Sequence, residues 1–402
     1  MIKNKLFQNS KLQNFKRNSL KNFSKKFENV YQEINRKIDY PGSLFNLFNQ
    51  NYELGFKIKN LAQFKKFKKI AIIGMGGSIL GSMAIHSLFK KKIKKKFYFF
   101  DNLDEKKILH FKKKQNLNQI LFLIISKSGD TIETVANVLS LGILKKNAKN
   151  IIIITEKKNN FLYSQVKKLN LFYFQHKNFI GGRYSVLSEV GIIPAYLMGV
   201  NILKLRSNIL KAFKNNKIQL KENSINLANL LKTKKLNNLI FLNYTPQLEQ
   251  FLFWCQQLIA ESLGKNLKGF LPVVSNVPRD HHSLLQLYLD GPKDKIFYIF
   301  SYDENFKQKI KIEQFSNSKN YLNKKSLSMI KNAQKKALIK SLNKKKIPYR
   351  EFKIKTINEE TLGELFSYFI FETIIIGRLS DVDPFNQPAV EEVKIFTQNY
   401  LN

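Results

Sequence analysis

The fold class is decided by IAIIGMGGSILGSMAIHSLF, residues 70–89. This run begins with apolar, β-branched residues typical of a buried strand, passes through a glycine-rich loop and continues with helical spacing. The same order recurs from ILFLIIS at 120–126 into KSGDTIETVANVLSLGIL, and NIIIITE at 150–156 supplies another apolar strand. Continuous apolar strands that alternate with helices indicate a parallel sheet covered on both faces.

The alternation resumes in the second half of the chain, where NNLIFLNYT at 237–245 is followed by the helical run PQLEQFLFWCQQLIAESLGK. Further strands are indicated by FLPVVS at 270–275, KIFYIFSY at 295–302 and YREFKIK at 349–355, and the run at 358–377 predicts a helix. We therefore predict an α/β protein of two tandem three-layer α/β/α domains with mainly parallel sheets.

Four segments are expected along the chain. Residues 1–50 are rich in lysine, asparagine and phenylalanine without a strand pattern, and predict short helices. The two α/β domains are expected at 51–205 and 206–378. Residues 379–402 form a tail that has turn signals at its two X-Pro pairs and a helical end.

The charge of the chain is strongly positive, at +40 over 402 residues, and lysines outnumber arginines by 62 to 7. Arginine is the residue preferred for bidentate recognition of phosphates and bases. The lysines are also spread along the whole chain, beside many asparagines and isoleucines, as AT-rich codons dictate. We therefore interpret the charge as a compositional bias that attracts small anions, and we do not expect nucleic acid as a partner.

The sequence indicates a cytoplasmic protein. The best candidates for a membrane helix are interrupted by Glu189 and Glu372 before they reach the roughly 20 apolar residues required. The N-terminus is too polar for a secretory signal. The single cysteine, Cys255, excludes an intramolecular disulfide and a cysteine-based metal cluster.

Two glycine-containing loops follow predicted strands. GMGGSILG at 74–81 could hold a phosphate through its backbone N–H groups, although a tight structural turn explains it equally well. SKSGDTIET at 126–134 brings together Ser126, Lys127, Ser128 and Thr131, which favours binding of a phosphate monoester. The alternative is that Ser128 or Asp130 caps the following helix.

Candidate catalytic groups are few. Arg183 follows two glycines and could stabilise developing negative charge, but a surface ion pair explains it equally well. Glu261 lies among apolar neighbours that would desolvate its carboxylate, as a general base requires, whereas an i,i+4 pair with Lys265 is the simpler interpretation. His281 and His282 stand side by side in a chain with five histidines, and they match no zinc signature, so no metal is expected.

Six motifs in order, over about residues 68–397, resemble the phosphoglucose isomerase family, whose domains have the sugar isomerase (SIS) fold. They are GMGGSILG, SKSGDTIET, GGRYSVLSEVG, AESLGK, HHSLLQLYLDGPKDK and DPFNQPAVEEVK. The resemblance implies isomerisation between glucose 6-phosphate and fructose 6-phosphate in glycolysis and gluconeogenesis, without a metal or redox cofactor. It also implies a homodimer with the active site at the subunit interface, since the family's histidine comes from the neighbouring subunit.

The resemblance assigns a role to each matching residue. Glu261 would move a proton between C2 and C1 through a cis-enediol, His282 would open the sugar ring with help from Lys394, and Arg183 would stabilise the enediolate. Substrate binding would fall to Gly77, Ser78, Ser126, Lys127, Ser128, Thr131 and Gln387. The chain departs from the family pattern at His281, where glutamine is usual, at Asn386, where aspartate is usual, and at Ala389, where glycine is usual.

Two alternatives to this function remain open from the sequence. One is a sugar-phosphate isomerase of broader specificity that also accepts mannose 6-phosphate. The other is a non-catalytic regulator that binds a sugar phosphate. The joint presence of Glu261, His282, Arg183 and Lys394 argues against the regulator, because binding alone requires no base at C2.

Overall fold

The computed structural model describes residues 7–11, 17–234, 236–302, 308–311 and 321–402. Within these residues, two five-stranded sheets are formed. The strands are β1 (Phe7–Lys11), β2 (Lys69–Ile73), β3 (Lys96–Phe100), β4 (Ile120–Ile125), β5 (Ile151–Thr155), β6 (Phe172–Gln175), β7 (Asn238–Asn243), β8 (Leu271–Asn276), β9 (Lys295–Tyr302) and β10 (Tyr349–Ile354).

Helices connect and cover these strands. They are α1 (Arg17–Ile38), α2 (Ile58–Ala62), α3 (Leu80–Phe89), α4 (Glu105–Lys114), α5 (Ile132–Leu141), α6 (Phe161–Leu169), α7 (Glu189–Met198), α8 (Ile202–Ser207), α9 (Lys211–Lys214), α10 (Lys217–Thr233), α11 (Glu249–Leu263), α12 (Leu285–Asp290), α13 (Leu327–Lys344), α14 (Glu359–Leu379) and α15 (Pro388–Leu401). Short 3-10 turns occur at Leu44–Phe48, Gln63–Lys66, Gly76–Ser78, Leu117–Gln119, Gly182–Leu187, Pro246–Leu248 and Arg279–His281.

The first sheet has the order β3-β2-β4-β5-β6, and all its strands are parallel. Every residue of β4 and β5 is buried, because helices cover both faces of the sheet. The second sheet has the order β1-β10-β9-β7-β8; its last four strands are parallel, and β1 pairs antiparallel with β10. The predicted α/β class with mainly parallel sheets is confirmed.

A continuous apolar core lies between the two sheets, formed by their inner faces and the helices packed between them, among them α3, α11 and α14. A second cluster covers the outer face of the first sheet, and a third covers the outer face of the second. Each sheet is therefore the middle of three layers, and their carboxyl ends carry the loops described below.

The predicted helical N-terminal segment is confirmed by α1, whose buried face packs on the shared core. This helix has 22 residues, longer than the short helices expected, and the strand β1 before it was not predicted. Strands β3 and β6 were also not predicted. The domain division at residues 50, 205 and 378 stays a prediction. Among the described residues, every helix is too short or too polar to cross a membrane.

Candidate active site

The glycine-rich loop after β2 touches the turn that carries Arg183. A Cβ atom built on Gly77 would lie 2.3 Å from the carbonyl carbon and oxygen of Gly182 and 2.6 Å from the backbone nitrogen of Arg183. A Cβ on Gly76, which has a φ of +51°, would lie 2.6 Å from the amide nitrogen of Gln257. Only glycine permits this approach, because a side chain would collide with these atoms. The Gly76–Ser78 turn therefore lies against both Arg183 and Gln257.

The hydroxyls of the second loop form a cluster at the amino end of α5. Ser126 Oγ lies 2.9 Å from Thr131 Oγ1 and 3.4 Å from Ser128 Oγ, and Ser128 and Thr131 are 3.3 Å apart. The N–H of Gly129 donates to Ser126 Oγ at 3.1 Å. Hydroxyls and helix-terminal amides that converge in this way can bind a phosphate group.

The capping alternative for this loop is wrong. Thr131 occupies the N-cap of α5 without a side-chain capping bond, and the Asp130 carboxylate accepts instead from the N–H of Phe161 at 2.7 Å. The contacts of the Lys127 side chain lie elsewhere: its Nζ donates to the carbonyl of Asn178 at 2.8 Å and lies 3.6 Å from Glu156. Burial lowers the pKa of Lys127.

Arg183 is only 3% exposed and holds together three separate segments. Its Nη1 donates to Glu261 Oε1 at 2.6 Å and to Gln387 Oε1 at 3.0 Å. Its Nη2 donates to the carbonyls of Pro384 at 2.6 Å and Asn386 at 3.2 Å, and its Nε donates to Ser262 Oγ at 2.9 Å. The surface ion pair considered from the sequence is therefore wrong, because this guanidinium is buried.

The Glu261 carboxylate, in the last turn of α11, is held at both oxygens. Oε1 accepts from Arg183, and Oε2 accepts from the amide of Gln257 at 2.9 Å. The predicted pair with Lys265 is wrong, because Lys265 donates to the carbonyls of Ser262 at 2.9 Å and Asp383 at 2.5 Å. Burial, followed by the charge of Arg183, lowers the pKa of Lys265 to about 8.

Gln257 was not predicted as a site residue. Its position four residues before Glu261 places both side chains on one face of α11, and this spacing was the available signal.

Only part of the C-terminal tail lies near Arg183 and Glu261. Gln387 joins Arg183, but Lys394 lies on exposed α15 and pairs with Glu391 at 2.7 Å. Helix α15 has no buried residue and carries exposed apolar side chains, at Val390, Val393, Ile395, Phe396, Tyr400 and Leu401.

The histidine pair is divided by its surroundings. His281 is half-buried, with its Nε2 3.0 Å from the hydroxyl of Tyr244, and burial lowers its pKa. His282 is exposed, and no hydrogen bond among the described residues joins it to Arg183 or Glu261. The described part of the chain contains no cluster of three His, Cys, Asp or Glu side chains that could hold a metal ion.

The phosphoglucose isomerase family model matches residues 48–401. A glucose-6-phosphate isomerase from Methanocaldococcus jannaschii is 32% identical over 379 residues, which cover 90% of this chain and 94% of the relative. A glucose-6-phosphate isomerase from Carboxydothermus hydrogenoformans is 30% identical, and the match covers 84% of this chain and 79% of the relative.

Solved structures show the same fold. A hypothetical protein from Thermus thermophilus superposes with a TM-score of 0.80 at 24% identity, over 96% of each chain. A glucose-6-phosphate isomerase from Chlamydia trachomatis gives a TM-score of 0.78 at 16% identity, over 98% of this chain and 87% of that one.

Proposed function

This chain belongs to the phosphoglucose isomerase family, and we propose on that basis that it interconverts glucose 6-phosphate and fructose 6-phosphate. The observation that supports this reaction most directly is the Glu261 carboxylate fixed between Arg183 and Gln257. A base held at both oxygens beside a buried cation suits proton abstraction next to a carbonyl group. The pathway role in glycolysis and gluconeogenesis is proposed with it.

In this proposal the phosphate binds at the hydroxyl cluster of Ser126, Ser128 and Thr131. Its charge is met by hydroxyl donors and by the amino end of α5. Binding energy from the phosphate then fixes C1 and C2 of the open-chain sugar near Glu261. Gly77 and Ser78 line the sugar, since their turn contacts both Arg183 and Gln257.

Glu261 takes the proton from C2 of the aldose, the C–H electrons form the C1–C2 double bond, and the C1 carbonyl oxygen gains negative charge. The protonated Glu261 then returns the proton to C1, the proton of the C2 hydroxyl passes to the negatively charged C1 oxygen, and the C2 oxygen becomes the carbonyl. One carboxylate that reaches both carbons is sufficient.

Arg183 can respond to this change in charge because one of its N–H groups donates to Glu261 itself. A guanidinium has five N–H groups, and all five have acceptors here. When Glu261 accepts the proton, its carboxylate loses its negative charge and the ion pair with Nη1 weakens. The Nη1 edge then becomes the donor to the enediolate oxygen, which carries the charge that Glu261 has lost.

Ring opening falls to His282 of a second copy of the chain, with Lys394 assisting, in a homodimer. The exposure of His282 and the uncovered apolar side chains of α15 support this part of the proposal. His281, held by Tyr244, is the less suitable of the two histidines for contact with a substrate.

The reaction is tested by coupling fructose 6-phosphate consumption to a glucose-6-phosphate-specific dehydrogenase and following the reduced nicotinamide. We expect turnover by the wild type and, for Glu261→Gln, retained sugar-phosphate binding with turnover lowered by at least about 10³-fold. A folded wild-type protein without turnover would refute the proposed function.

The shared site is tested by mixing subunits. In a heterodimer of Glu261→Gln and His282→Ala chains, one site has both defects and the other has neither, provided that the histidine comes from the partner. We expect co-expression of the two impaired variants to raise turnover of the cyclic sugar above that of either variant alone. If both catalytic groups of a site belonged to one chain, the heterodimer would be no faster than the better of the two variants.

A further inference from the structure

The buried side of Arg183 is part of a closed ring of hydrogen bonds whose other members have no assigned role. Ser262 Oγ accepts from Arg183 Nε at 2.9 Å and lies 2.8 Å from the hydroxyl of Tyr184. The Tyr184 hydroxyl lies 2.6 Å from the carbonyl of Pro384, which also accepts from Arg183 Nη2 at 2.6 Å. Four groups therefore form one ring.

The direction of every bond in this ring follows from counting hydrogens. The Pro384 carbonyl can only accept, so the single hydrogen of the Tyr184 hydroxyl points to it. Tyr184 must then accept from Ser262, whose own hydrogen is thereby used. One lone pair of Ser262 Oγ accepts from the N–H of Arg183 Nε at 2.9 Å. None of these hydrogen bonds can reverse its direction without leaving an N–H or O–H group without an acceptor.

Burial makes this arrangement stiff. Tyr184 and Ser262 are 0% exposed and Arg183 is 3% exposed, so water cannot replace a lost partner. The Tyr184 ring also lies 5.1 Å from the guanidinium carbon. Burial raises the pKa of Tyr184, so its hydroxyl keeps the hydrogen that the ring requires.

The ring divides the guanidinium into two edges. Nε and Nη2 are tied to Ser262 and to the carbonyls of Pro384 and Asn386. Nη1 alone faces Glu261 and Gln387, the groups proposed to meet the substrate. We infer that Ser262 and Tyr184 are positioning residues that direct the Nη1 edge of Arg183 at the reacting oxygens. This inference rests on the proposed isomerase function.

The test is a double-mutant cycle on kcat. Tyr184→Phe keeps the ring contact and removes only the hydroxyl, and we expect kcat to fall about tenfold while KM changes less than about threefold. Arg183→Lys lacks the N–H that reaches Ser262, so adding Tyr184→Phe to it should lower kcat by less than about twofold further. If the kcat losses of the two single variants multiplied in the double variant, Tyr184 would not act through Arg183, and the inference would be overturned.

Controls separate positioning from folding. Tyr298 is a matched buried tyrosine whose hydroxyl accepts from Arg350 at 2.9 Å, and Tyr298→Phe should leave kcat unchanged even where it lowers the melting temperature. Ser262→Thr keeps the hydroxyl and should retain kcat, whereas Ser262→Ala should lose about tenfold. If Tyr184→Phe fails to fold, the two Ser262 variants test the inference instead. Equal kcat for Ser262→Ala and the wild type would refute it.

These results are distinguishable from failure of the proposed function. An inactive wild type refutes the isomerase and the positioning role with it. An active wild type whose kcat is indifferent to Tyr184→Phe and Ser262→Ala refutes the positioning role alone.

Discussion

Replacing Gly77 by alanine should misplace Arg183. The added Cβ would lie 2.3 Å from the carbonyl carbon and oxygen of Gly182. Since nonbonded carbon atoms prefer about 3.5 Å, the two turns must separate by about 1.2 Å. The obstructing atoms are backbone, so no side-chain rotation relieves the contact. Arg183 follows Gly182 directly and moves with it.

A shift of about 1 Å in a catalytic group can lower a rate by about 10²-fold, and we expect a loss of that size in kcat/KM for Gly77→Ala. The overpacking should also lower the free energy of unfolding by about 1–3 kcal/mol. The coupled isomerase assay and urea unfolding measure the two effects.

Gly182→Ala is the matched control. A Cβ at Gly182 meets nothing within 4 Å, so this variant should have near wild-type rate and stability. The reasoning fails if Gly77→Ala keeps kcat/KM within about threefold of the wild type while folded.

Three further predictions test other parts of the molecule. Burial lowers the pKa of His176 to about 4, so the unfolded chain binds more protons between that value and the ordinary histidine range. The free energy of unfolding should therefore fall by about 2 kcal/mol from pH 7.5 to pH 5, and His176→Gln should remove this part of the dependence in urea titrations. His282→Ala should slow turnover of the cyclic sugar more than that of an open-chain analogue, and equal losses in stopped-flow assays would contradict its assigned role. Glu372→Gln should destabilise the protein by about 3–5 kcal/mol, because Arg350, which is 1% exposed, would lose its charge partner; a melting temperature equal to the wild type would contradict this.

The fold could be predicted where strands are long, apolar and buried on both faces. All three strands that the pattern missed lie at sheet edges: β3 and β6 border the first sheet, and β1 borders the second. Edge strands are covered less completely: β3 and β6 are short aromatic runs that are only partly buried, and β1 is a short polar run, so none of them shows the continuous Ile- and Leu-rich pattern of the central strands. β3 follows a lysine-rich stretch, and β1 pairs with residues more than 300 positions away, which no local pattern records.

The site could be predicted where its members are close in sequence. The hydroxyls of Ser126, Ser128 and Thr131 share one loop, and the structure brings them together. Arg183 could not be classified from its neighbours, because its acceptors lie at 261–262 and 384–387. The long side chain of Lys265 likewise reaches a carbonyl at Asp383 that the helix periodicity of α11 could not indicate.

The two sheets offer similar edges, yet only the first suits a phosphate. At the carboxyl end of the second sheet, Asn243 Nδ2 donates to Asn276 Oδ1 at 2.9 Å, and Asn276 Nδ2 donates to Glu249 Oε1 at 2.6 Å. Glu249 begins α11, so a carboxylate already occupies the position where a helix would favour an anion. At the first sheet, the described hydroxyls bond to one another and to backbone, and no carboxylate accepts from them. Because Glu249 disfavours an anion at the amino end of α11, this helix contributes to the candidate site through its carboxyl end, which carries Glu261. In the proposed isomerase, the phosphate is therefore assigned to the first sheet and the proton-transferring carboxylate to the carboxyl end of α11, beside the second.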